Sequence, residues 1–262
     1  MKFEKGGTVS KLLDKLNQVS RGSTPSIGFR AAVAPPKSPR MLLIATVTTV
    51  DATATAAARG SADAVLLSEE ESAKFLQKQE KIAASFGELP WGVSIGETTE
   101  EQLARLKAAG CDFLVFDAEK APLILLREGE MGRILKLGPS LPDGLIRATA
   151  QLPIDAVLIG DQPSLTVQQL MVCQHLANLV HKPLLTTTPI GIPGEDLKEL
   201  WETGLAGVVV KMAGDTKEGL SGLRHAIDAL PLSRRRRRVK AEVMLPYLGE
   251  EVITEEEEEE EE

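Results

Sequence analysis

The sequence predicts an α/β protein in which eight short parallel strands alternate with helices, and three observations support this. Four segments repeat one design: Gly60-Ser-Ala-Asp-Ala-Val-Leu-Leu, Gly110-Cys-Asp-Phe-Leu-Val-Phe, Pro153-Ile-Asp-Ala-Val-Leu-Ile and Gly204-Leu-Ala-Gly-Val-Val-Val. Each is a helix stop, a short polar or small step, then an apolar run. The runs begin roughly 45 to 50 residues apart, about two strand–helix units. Four more apolar runs lie between them, Met41–Val47, Trp91–Ile95, Ile134–Leu137 and Leu184–Thr187. Finally, 262 residues is the usual length of one closed unit of eight strands and eight helices. The predicted fold is a (β/α)8, or TIM, barrel.

The elements follow in order. Residues 1–40 form an N-terminal extension, in which Val9, Leu12, Leu13 and Leu16 recur at helical spacing and predict a short amphipathic helix over Thr8 to Ser20. Such a helix closes the bottom of the barrel or lies across its mouth; the first is the simpler reading. The barrel spans 41–232. Thr98-Thr-Glu-Glu opens a helix with a cap and an acidic first turn, and Gly110 stops it. Glu195-Asp-Leu-Lys-Glu-Leu-Trp-Glu-Thr-Gly204 repeats that design. Thr166–Val180 is the most apolar helix, Thr216–Leu230 is the last, and Pro122–Gly132 is a short helical segment.

Residues 233–262 form a tail of three blocks: Arg234 to Arg238, an apolar island at Val243-Met-Leu-Pro-Tyr-Leu248, and Glu255 to Glu262. The tail holds a net charge of −5 of the total −8, so the barrel body is close to balanced. Blocks of like charge repel themselves, which predicts a disordered tail unless it docks. The apolar island at 243–248 is then a contact for the chain's own barrel, a neighbouring subunit or a protein partner. The acidic terminus competes with nucleic acid for the arginines, and aromatics at 3% leave no stacking platform for single strands. Cys111 and Cys173 are too few and too far apart for a disulfide framework and read as buried thiols in a reducing cytoplasm. The absence of an apolar leader or a bilayer-length run predicts a soluble, cytoplasmic protein with no membrane contact.

In such a barrel the chemistry sits at the C-terminal ends of the strands. Those ends hold Thr46, Thr48, Ser68, Glu69, Glu70, Ser94, Glu97, Asp117, Glu119, Lys136, Asp161, the threonines Thr186, Thr187 and Thr188, and Lys211. Strand alternation places Lys136 with Ile134 and Lys211 with Val209, on the face opposite the helix layer. A lysine there binds an anion as a point charge or, if desolvated, serves as base or Schiff-base nucleophile. The bland alternative is a satisfied polar layer in which Asp117 and Asp161 pair with the lysines. The expected set is therefore Lys136, Lys211, Asp117 and Asp161 as catalytic groups, with Thr187, Thr188, Gly191, Gly194 and Gly214 around an anion or phosphate. Pro189-Ile-Gly-Ile-Pro-Gly places Gly191 and Gly194 before a helix N-terminus, which favours an anion. Carboxylates at Glu97, Asp117, Glu119 and Asp161 suit magnesium, but more weakly, and no histidine reaches the expected mouth, so no metal is assigned.

Residues 191–210, Gly-Ile-Pro-Gly-Glu-Asp-Leu-Lys-Glu-Leu-Trp-Glu-Thr-Gly-Leu-Ala-Gly-Val-Val-Val, resemble the seventh and eighth units of ribulose-phosphate-binding and related aldolase-type barrels. Thr99–Phe116 resembles the matching helix-to-strand step of the same superfamily. Ile134-Leu-Lys-Leu-Gly-Pro resembles the fifth strand of FMN-dependent barrel oxidoreductases, a likeness that implies FMN as cofactor and Lys136 against the flavin. Those families carry paired glycines after strand seven and a small step at the end of strand eight, where this chain has Thr187-Thr-Pro and Lys211-Met-Ala-Gly. Three readings follow. The first is a barrel binding a small phosphorylated or carboxylated metabolite, with lyase or isomerase chemistry. The second is an FMN-dependent oxidoreductase, and the third a non-catalytic barrel acting as a binding or assembly module through its tail.

Overall fold

The computed structural model describes residues 10–21, 39–50, 52–70, 72, 85–138, 141–160, 165–212 and 217–231. Asp161, Gly214 and the tail from residue 232 onward, expected above to act in binding, lie outside these residues. The strands are β1 (Leu42–Val47), β2 (Ala64–Leu67), β3 (Trp91–Ile95), β4 (Phe113–Asp117), β5 (Gly132–Leu137), β6 (Ala156–Ile159), β7 (Leu184–Thr188) and β8 (Gly207–Met212). All pair in parallel and in chain order, and β8 returns to β1 to close a barrel. The expected fold is the observed one.

The fourfold sequence repeat has a physical counterpart. Immediately before each even-numbered strand, the backbone N–H of Asp63, Asp112, Asp155 or Ala206 donates to the carbonyl of Leu43, Trp91, Arg133 or Leu184 on the preceding strand. The same bond is thus made four times. Ahead of two of these junctions Gly110 and Gly204 take φ of 80° and 107°, the left-handed conformation that ends a helix without a Cβ clash.

Alternation along the strands divides the core in two. Met41, Leu43, Ala45, Val47 and their equivalents pack outward under the helices. Leu42, Ile44, Leu66, Phe113, Val115, Ile134, Leu158, Leu185 and Val209 fill the interior. Interior glycines admit the bulk. A Cβ at Gly92 would lie 2.4 Å from the Phe113 carbonyl oxygen and 2.5 Å from its ring, and one at Gly207 would lie 2.8 Å from Leu185 Cδ2.

Helix α1 (Lys11–Arg21) sends Leu12, Leu16 and Val19 into that interior cluster. Its first turn is held by Asp112, just before β4. The Asp112 carboxylate accepts from Ser10 Oγ at 2.7 Å and from the backbone N–H groups of Lys11 and Leu12 at 2.7 and 2.9 Å. Asp112 lies at the N-terminal end of the strands, so α1 plugs the bottom, not the mouth.

Around the barrel run α2 (Ala52–Ser61), α3 (Glu100–Ala108), α4 (Asp143–Thr149), α5 (Val167–Leu179), α6 (Gly194–Glu202) and α7 (Lys217–Ala229). Helix α3 opens with a full capping box: Thr99 Oγ1 accepts from the Gln102 N–H at 3.3 Å, and Gln102 Oε1 accepts from the Thr99 N–H at 3.0 Å. Pro122–Gly132 is shorter than expected, a single 3-10 stretch at Leu123–Arg127 that buries only Leu125. Both cysteines are free and buried, and burial pushes the Cys111 thiol up to about 12 and that of Cys173 to about 11.

Candidate functional site at the mouth of the barrel

The top inward position of each strand follows from the register. Ile134 and Val209 belong to the interior cluster, so Lys136 and Lys211, two residues further along their strands, occupy the same face at the C-terminal end. Phe113 and Val115 place Asp117 there in the same way. Asp117 stands in register with Lys136 across β4 and β5, and Lys211 with Thr46 across β1 and β8. Neighbouring strands are about 4.8 Å apart, so each pair shares one edge of the mouth. Lys136 and Asp117 are half-buried and Lys211 is exposed. Both ammonium groups border the open end of the interior, an arrangement suited to point-charge attraction of an anion.

Two glycines give the long side chains room. Gly160 follows β6, and a Cβ there would sit 3.2 Å from Lys136 Cε and 3.1 Å from the Leu137 carbonyl oxygen. Gly96 follows β3, and a Cβ there would sit 2.9 Å from Glu69 Oε1. Lys136 and Glu69 thus lie across glycines at the rim. Sequence reasoning named Lys136 and Glu69 but missed these two glycines. The available signal was a glycine one step past a strand, level with a long charged residue of the previous one.

Asp117 is oriented by its own turn, for its Oδ1 accepts from the Glu119 N–H at 3.0 Å. On β7, Leu185 is interior and Leu184 is not, which puts Thr187 inward and turns Thr186 and Thr188 toward the helices. Thr188 is therefore set apart from the mouth. Thr187 lies in register with Val209, one inward position below Lys211. Its Oγ1 is buried and has no hydrogen-bond partner among the described residues.

The loop from β7 to α6 runs past the mouth. Gly191 and Gly194 are exposed, and a Cβ on either would meet open space, so packing does not require glycine there. Helix α6 starts after Pro193 with no side-chain cap and carries Glu195 and Asp196 in its first turn. Those carboxylates complement the helix dipole themselves and repel an incoming anion. A flavin phosphate placed there would face both carboxylates, and Pro189 and Pro193 have no N–H to offer it. The residues present do not fit FMN. Among the described residues no three His, Cys, Asp or Glu side chains gather as a metal site. His175 lies on the outer surface, 2.8 Å from Asp143.

No protein-family profile and no curated protein matches this sequence. Solved structures do match. A mutant tryptophan synthase α-subunit from Pyrococcus furiosus aligns with a TM-score of 0.54 at 15% identity, over 72% of this chain and 97% of that one. Thiamine phosphate pyrophosphorylase from the same organism aligns with a TM-score of 0.56 at 14% identity, over 72% and 96%. The fold shared with these structures is the (β/α)8 barrel. Identities this low speak to architecture alone, and that architecture is the one expected from the sequence. Among the described residues no helix is long and apolar enough to cross a membrane.

Proposed function

We propose that the barrel mouth binds a small phosphorylated or carboxylated metabolite, with Lys136 and Lys211 as its cationic anchors. The observation behind this reading is the convergence of Lys136, Lys211 and Asp117 on the inward face at the C-terminal ends of β5, β8 and β4, where barrels of this architecture keep their working residues. Thr187 adds a buried hydroxyl below Lys211 that can donate to the ligand. Glu195 and Asp196 steer the anionic end away from the Gly191/Gly194 loop and toward the lysines. Gly191 and Gly194 then border the ligand's uncharged part. One of the solved barrels is by name an enzyme of a phosphate compound, which accords with this chemistry.

The reaction type consistent with these groups is that of a lyase or isomerase. Asp117, held by its turn, or Asp161 takes a proton from carbon beside a carbonyl. The electron pair moves to the carbonyl oxygen, where a lysine ammonium stabilises the developing charge. The buried thiols suit a reducing cytoplasm.

Thermal-shift measurement with phosphosugars and 2-keto acids tests the proposal, followed by calorimetry on hits. A ligand at a hundred times its Kd stabilises by about 2.7 kcal/mol. Lys136→Met and Lys211→Met should each abolish that gain, measured against the variant's own unliganded melting point. The reading fails if no compound in the panel stabilises the protein, or if both variants respond as the parent does.

A further inference from the structure

A groove of ≈ 420 Å³ runs between α5 and α6 on the outside of the barrel, far from the lysines. Its α5 wall holds Val167, Leu170, Met171 and Gln174, and its α6 wall Glu199 and Glu202. Val167 and Met171 are 76% and 67% exposed, which is unusual for large apolar side chains one turn apart on the same helix. The groove is polarised along its length. Helices run opposite to the strands, so Glu202 lies at the bottom of the barrel and Val167 at the top. The bottom ends of α6 and α7 meet the residue that leads into β1: Trp201 Nε1 donates to the Arg40 carbonyl, and Arg40 donates to the Asp228 carbonyl.

From these features we infer that the groove is the docking site of the chain's own C-terminal segment, with Arg234–Arg238 against Glu199 and Glu202 and Val243–Leu248 over Leu170, Met171 and Val167. Three observations select this occupant. The described chain stops at Pro231, just after α7, so the segment starts at the bottom of the barrel, beside the acidic end of the groove. The order of chemistry matches: the tail presents cations first and apolar side chains second, and the groove rising from the bottom presents carboxylates first and apolar side chains second. The reach also suffices. Two interhelical steps of about 8–10 Å and a climb of about 10 Å along α5 separate the end of α7 from Met171. Residues 232–242, fully extended, cover roughly 36 Å.

Disulfide trapping in the full-length chain tests this. Met171→Cys combined with Leu245→Cys should give an intramolecular disulfide at low protein concentration, since Cys111 and Cys173 are buried. The control pair is Gln102→Cys with Leu245→Cys, with the first position on α3 across the barrel. Trapping at Met171 should exceed the control severalfold. It should drop severalfold in Glu199→Lys/Glu202→Lys and at high salt, as expected for screened charge pairing. Equal trapping at both positions overturns the inference, as does a disulfide that forms only between chains, because the occupant would then be a second copy. Circular dichroism on each variant separates misfolding from loss of docking, and a folded variant that does not trap counts against the proposal.

Discussion

The two ends of this barrel differ in how they are closed. At the bottom, charged side chains are tied to backbone and to each other. Asp112 caps α1, and Asp63 accepts from the Leu43 N–H and from Arg224 at 2.9 and 2.8 Å. Arg224 also holds Asp228. Asp155 accepts from the backbone and side chain of Arg133, and Lys182 donates to the Leu152 and Ile154 carbonyls at 2.6 Å. Leu12, Leu16 and Val19 seal what remains. At the mouth, Asp117, Lys136 and Lys211 take the last inward positions of β4, β5 and β8, with Asp117 held by its own turn and Gly160 leaving room for Lys136. Ion pairs, caps and an apolar plug at the bottom contribute to folding; on the reading proposed above, the charges at the mouth also meet a ligand.

That contrast can be broken first at the plug. Leu16 is fully buried, and Leu16→Ala should cost about 2–5 kcal/mol in chemical denaturation. Lys136→Met, at a half-buried position on the rim, should cost less than Leu16→Ala. Similar losses in both would erase the distinction between the two ends. A smaller effect is expected at the cap, where Asp112→Ala should cost about 0.5–2 kcal/mol and speed amide exchange in the first turn of α1. Unchanged exchange there would contradict the role given to Asp112.

The thiols provide a gentler test. Their folded values lie above the ordinary thiol value, near 12 for Cys111 and near 11 for Cys173. Above pH 9 the unfolded chain loses thiol protons that the folded chain keeps, so stability falls as pH rises from about 9 toward 11–12. Cys111→Ala should flatten that decline relative to the parent. An identical slope in both would mean that the buried thiol is not its source.

Much of the frame was legible because repeated local chemistry produces it. The step before each even strand recurs as sequence because the same backbone bond recurs there, and Thr99 with Gly110 bracketed α3 through its cap and its left-handed stop. Less legible was what apolarity means when it lacks a period. Thr166–Val180 reads as the most apolar helix, yet α5 buries Cys173 and Leu176 and leaves Val167 and Met171 in the open. Pro122–Gly132 has leucines enough for a helix but makes one 3-10 stretch between Pro122 and Glu128. At the mouth, alternation was enough to orient Lys136 and Lys211. It also separates Thr187 from Thr188, which a list of strand-end residues does not. The clearance at Gly96 and Gly160 depends on strand register, which no single segment of sequence encodes.

The central claim, that the mouth lysines hold the anion, is tested most directly by lysine side-chain NMR on the full-length protein titrated with inorganic phosphate. Spectra of Lys136→Met and Lys211→Met assign the two mouth resonances. The account predicts that these two shift saturably, while the bottom lysines Lys15 and Lys182, engaged with the carbonyls of Asp63, Leu152 and Ile154, do not. Stationary mouth resonances, or shifts equally large at Lys15 and Lys182, would contradict it.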